Sequence, residues 1–144
     1  MNMRNSFIRN GFIDAGAVNI LAVLVLSRAF TNRVIPETDP EVMSNFGLLM
    51  IAVWGLVFLA VANCYRSVKW LVGVFVVEKL IYATVWFRWL TTHDLAAVYA
   101  KDLFAGVFYS AYGLNDFIFF LFFAAVFYQL HQAKEVPVNQ NITR

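Results

Sequence analysis

A single cysteine, Cys64, is all the thiol chemistry in this chain, so no intrachain disulfide can form and no cysteine cluster can hold a metal. Histidine is almost as scarce. His93 and His131 fall near the ends of different apolar runs, which leaves no intramembrane pair for haem and no tight set for zinc or copper. No glycine-rich phosphate loop, nucleophile elbow or zincin pattern occurs, so neither a cofactor nor a catalytic residue is expected. Charge is thin as well: Asp, Glu, Lys and Arg make up 14% of 144 residues, where a soluble domain has about a quarter. A water-exposed surface cannot be built from so few charges. The net charge of +2 is too small to argue for nucleic acid as a partner.

What is abundant is apolar, with 61% hydrophobic and 17% aromatic residues and a mean hydropathy of +0.67. A bilayer core about 30 Å thick needs roughly 20 mostly apolar residues in a helix. The runs over 11–30, 45–64, 70–90 and 104–128 meet that length. They are too long, and too free of alternation, for barrel strands. No proline interrupts them. The expected fold is therefore all-α: a single-domain integral membrane four-helix bundle over 1–144, antiparallel and up-down.

The connections carry readable punctuation. Asp39 and Pro40 suit an N-cap and a first-turn proline, so the second helix is expected to begin ahead of its apolar part. Arg66 to Lys69 leaves room only for a tight turn. Between the third and fourth spans, Leu95, Val98 and Tyr99 recur at helical spacing, with Thr91 and Asp94 able to cap; this predicts a short interfacial helix. The residues after about Ala133 are polar and expected to fray. Arg4 and Arg9 precede the first run as in a secretory signal, yet Asp14 inside it and the lack of a small-x-small cleavage pattern favour an uncleaved helix. Arg4, Arg9, Arg66, Lys69, Lys134 and Arg144 on one side outnumber Arg28, Arg33, Arg88 and Lys101 on the other. That excess predicts both termini in the cytoplasm.

Charges inside the spans are the strongest functional signal. A charge at the bilayer centre costs about 2.5–3.5 kcal/mol on insertion scales, so it must face the bundle interior, a partner or water. Glu78 and Lys79 fall mid-way along the third run, and Asn115 and Asp116 mid-way along the fourth. Neighbouring residues project about 100° apart, so Glu78 and Lys79 cannot point along one line. Two arrangements are open. Lys79 pairs with Asp116 or Glu78 as a structural bridge, or Glu78 and Asp116 approach each other and exchange protons or bind a cation. Tyr82 lies one turn from Glu78, while Tyr109, Tyr112 and Gly113 share the face of Asp116. Such a group could satisfy buried carboxylates or hold a cationic or amphipathic small molecule. A second polar set, Asp14, Asn19 and Asn63, is expected near the cytoplasmic end, where Asp14 and Asn63 can bond each other or Arg66. Gly11, Ala15 and Asn19, and likewise Gly106 and Ser110, are spaced by four, which allows close helix approach.

The length, the four runs and the YGLND stretch at 112–116 resemble small bacterial four-helix membrane families such as the DoxX-like and BphX-like groups. The resemblance implies a small inner-membrane protein and assigns no functional residue. The expected role is a binding or accessory subunit, with the lipid bilayer and a homo-oligomer or larger membrane complex as partners. The alternative is a proton- or cation-coupled small-molecule transporter using Glu78 and Asp116.

Overall fold

The computed structural model describes residues 3–133 and is helical, with no strand among them. The side chain of Arg4, together with Lys134, Glu135, Arg144 and the polar tail, lies outside the described residues. Six helices follow one another: α1 (Met3–Leu26), α2 (Val34–Thr38), α3 (Asn45–Val61), α4 (Lys69–Thr92), α5 (Leu95–Lys101) and α6 (Leu103–Gln132). Within α1, α4 and α6 the apolar stretches are long enough to cross a membrane. Although α3 has the cleanest apolar sequence, it has only 17 residues, about 25 Å at 1.5 Å each. After Val61 the chain tightens: the amides of Cys64, Ser67 and Val68 each bond the carbonyl three residues back, as in 3₁₀ turns.

α1 packs along α3 and α4 along α6, while α5 lies against α6 and α1 touches α6 more lightly. The α1–α3 contact depends on Gly16 and Gly55. A Cβ at Gly55 would lie 2.9 Å from the Gly16 carbonyl oxygen, and one at Gly16 would lie 2.7 Å from that of Gly55. Only glycine at both positions lets the backbones come so near. The spacing of Gly11, Ala15 and Asn19 pointed to this side of α1 without identifying Gly16 or its partner.

Buried apolar residues form two clusters. One gathers Phe12, Phe58, Phe75 and Phe123; the other gathers Val23, Leu48, Trp89, Phe108 and Tyr109. On α1, α4 and α6 alike the residues between these clusters include buried polar groups: Asn19, Lys79 and Asp116.

The ends of the helices differ from the sequence reading in several places. α3 does not start at Asp39. Asp39 accepts from the Val42 amide and makes a separate turn, and Ser44 is the cap, accepting from Gly47 N at 3.1 Å. Asp94 caps α5 as expected, but the Thr91 hydroxyl donates to the Arg88 carbonyl at 2.7 Å and caps nothing. α1 stops at Leu26 rather than Phe30, because Arg28, Ala29 and Phe30 all adopt positive φ, at 49°, 52° and 67°.

Left-handed backbone costs a non-glycine residue about 1–2 kcal/mol, so this turn needs ties. Ala29 N bonds the Leu24 carbonyl at 2.7 Å and Phe30 N bonds Ser27 Oγ at 2.9 Å. Asp102 supplies the rest. Its carboxylate accepts from Arg28 at 2.9 Å and Asn32 at 2.8 Å while capping α6 through Ala105 N at 2.8 Å.

The Ala105 amide, with the Asn32 amide and the Arg28 guanidinium, holds the Asp102 carboxyl below its usual range despite partial burial. A depressed carboxyl stabilises the fold above its unfolded pKa, and that contribution is lost as pH falls through the folded one. Asp102→Asn is therefore expected to unfold at a lower temperature than the parent protein at pH 7. The gap should close as the pH drops below about 4. A gap that persists unchanged in acid would mean the charge of Asp102 contributes nothing.

Candidate functional site

Lys79 projects from α4 into the middle of the molecule and is 1% exposed. Its ammonium lies 2.5 Å from Asp116 Oδ1 on α6, donates to Asn19 Oδ1 on α1 at 3.2 Å, and stands 5.1 Å from the centre of the Phe58 ring on α3. One side chain thus ties α4 to α6 and α1 and faces a ring on α3. Asn19 is itself held, because its amide donates to the Ile51 carbonyl of α3 at 3.2 Å. A buried ammonium needs this arrangement: an opposite charge for Coulomb energy and further acceptors for its remaining protons.

Glu78 is in a different state. It is buried, its nearest oxygen lies 3.8 Å from Lys79 Nζ, and neither oxygen has a hydrogen-bond partner among the described residues. The group therefore places two carboxyls around one ammonium. Of the two arrangements open in the sequence, the Lys79–Asp116 pair is the one the geometry shows, and Glu78 is left without a donor among the described residues.

The tyrosines separate. The Tyr109 hydroxyl donates to the Ile35 carbonyl at 2.9 Å, and its ring stacks on Trp89 with centroids 4.4 Å apart, so it serves the α2 side rather than Asp116. Tyr112 is buried and its hydroxyl has no partner among the described residues. Tyr82 is half-buried one turn beyond Glu78. Asn115 and Asp116 line a cavity of about 70 Å³ together with Asn19 and Tyr112. That volume admits water but no drug-sized ligand, which needs roughly 300 Å³ or more. Gly113 lets Trp86 lie against α6, since a Cβ there would fall on the indole; the indole N–H donates to the Tyr109 carbonyl at 2.7 Å.

The second polar set does not assemble. Asp14 and Asn63 are exposed, and Arg66 bonds Asn5 and Tyr65 instead. The cause is helix geometry: α1 turns Ala15 and Asn19 inward, so Asp14 projects about 100° away, and Asn63 sits in the turn after α3. Asn19 belongs with Lys79. Its partnership was hidden in the sequence because it depends on how closely α1 meets α3. Among the described residues no group of His, Cys, Asp and Glu has the arrangement of a metal site. The chain matches no protein-family model, no curated protein and no solved structure at a significant level.

Proposed function

We propose that this chain is a small multi-pass membrane protein, an antiparallel up-down four-helix bundle with α5 at the interface, that acts as a binding or accessory subunit. The Lys79 cluster is its internal clamp. The observation that carries this reading is the pairing of Lys79: a 2.5 Å contact with Asp116, a bond to Asn19 and a buried setting commit its ammonium to the neighbouring helices. A setting in a bacterial inner membrane with both termini cytoplasmic, and kinship with the DoxX-like or BphX-like groups, accords with the four apolar runs and the basic excess around the first helix.

A proton- or cation-coupled transporter using Glu78 and Asp116 is the second reading, and two observations favour it. Glu78 lacks donors, so a proton or small cation there would complete the charge balance. The element order also runs long, short, long twice over, and Lys79 of the second half meets Asn19 of the first. Transporters place their sites at the interface of such halves.

Liposomes containing the purified protein and an internal pH dye separate the two readings. The accessory reading expects no proton-linked flux from the chain alone, and a stoichiometric partner or second copy after cross-linking in native membranes. A flux that Glu78→Gln abolishes at an unchanged unfolding temperature would overturn it in favour of transport.

A further inference from the structure

The cavity beside Asp116 lies in the lightly packed seam between α1 and α6. Its walls are mainly apolar, with Ala22, Leu26 and Phe108 among them, but Asn19, Tyr112 and Asp116 add polar groups. A water molecule needs roughly 10–15 Å³ by the same measure, so about 70 Å³ holds several. Tyr112 is 9% exposed and its hydroxyl is buried with no partner among the described residues. A buried hydroxyl left without a partner is costly, and a water can supply the missing bond.

The cavity also has a direction. From Asp116 and Asn19 it extends to Leu26, where α1 ends at the left-handed turn tied to Asp102. On the other side of Lys79 the rings of Phe12, Phe58, Phe75 and Phe123 are fully buried. They pack with centroids 4.9–6.2 Å apart, and Tyr65, the buried polar side chain of that cluster, already accepts from Arg66 through its hydroxyl.

We infer that the cavity holds ordered water and gives the buried Lys79–Asp116 pair one-sided access to the aqueous phase, from the membrane face that carries Asp102. Water is favoured over a lipid tail as the occupant because the buried Tyr112 hydroxyl has no partner among the described residues and a hydrocarbon chain would leave it unmatched. The inference rests on the membrane-spanning reading of the helices.

The test uses the full chain with Cys64→Ser, a cysteine introduced at Ala22, and membrane vesicles of both orientations. A small, charged, membrane-impermeant methanethiosulfonate should modify Ala22→Cys from the Asp102 face and not from the other. Leu26→Cys, further along the same cavity, serves if Ala22→Cys does not fold. Modification by a lipid-soluble maleimide alone would show a lateral mouth filled by lipid and overturn the proposal. No modification by either reagent, or modification from the opposite face, would overturn it too. Leu121, 52% exposed on α6, separates failure of this inference from failure of the membrane reading. Labelling of Leu121→Cys by the charged reagent would sink the membrane reading itself, whereas protection there with no reaction at Ala22→Cys sinks only the water.

Discussion

Asp116→Asn is expected to destabilise the protein by about 3–5 kcal/mol, read as a fall in unfolding temperature in detergent micelles. The substitution keeps size and shape but strips Lys79 of its 2.5 Å counter-charge. What remains is the Asn19 oxygen at 3.2 Å and Glu78 at 3.8 Å. Glu78 can move in as a substitute, so Glu78→Gln combined with Asp116→Asn should lose more than the two single changes added together. Exchanging all three charges for neutral residues of similar size, Lys79→Met with Asp116→Leu and Glu78→Gln, should recover most of the loss, because no buried charge is then stranded. Unchanged unfolding in Asp116→Asn would mean that the pair does not hold the helices together, and would move the weight to the transport reading.

Gly55→Val is expected to cost about 1–3 kcal/mol for forced overpacking, or beyond. The atom in the way is the Gly16 carbonyl oxygen, 2.9 Å from the new Cβ, and backbone cannot rotate aside as a side chain does. The Asn19 Cβ lies 3.1 Å from the same point. Pushing α1 away therefore strains the Asn19 bonds to Ile51 and Lys79 as well. Gly11→Ala provides the contrast. Its Cβ would meet only the far edge of the half-buried Phe122 ring, which can swing out, so less than about 1 kcal/mol is expected. Equal losses in the two variants, measured by the same unfolding assay, would refute a backbone-contact role for the Gly16–Gly55 pair.

The helical character and the mid-span position of Glu78, Lys79 and Asp116 could be read from the chain because both follow from local composition: long apolar runs, and charges too costly to face lipid. Matched depth left the pairing of Lys79 with Asp116 as one of several open arrangements, and the third member was not among them. Asn19 reaches Lys79 only because Gly16 and Gly55 bring α1 against α3, and a small residue in an apolar run carries no label for its partner. The early end of α1 was hidden for a related reason. Arg28, Ala29 and Phe30 are neither glycine nor proline, and their left-handed turn is held by bonds within residues 23–32 together with Asp102, far along the chain. The start of α1 at Met3 went unread because Ser6, Arg9 and Asn10 look like a polar flank although they continue the helix. Tyr109 was assigned to Asp116 by face alone, and the carbonyl of Ile35, which claims its hydroxyl, belongs to a segment with no apolar periodicity to place it.

The shortness of α3 bears on where such a protein can reside. Its 17 residues reach about 25 Å, against about 45 Å for the 30 residues of α6. In a hydrocarbon layer of about 30 Å the two are mismatched in opposite senses. On the proposed four-span arrangement, α6 would tilt or protrude, while the bilayer beside α3 would thin or yield to snorkelling side chains, each at a fraction of a kcal/mol per ångström. Lipids with short acyl chains relieve the strain at α3, so thinner membranes should retain the protein and thicker, more ordered ones should exclude it.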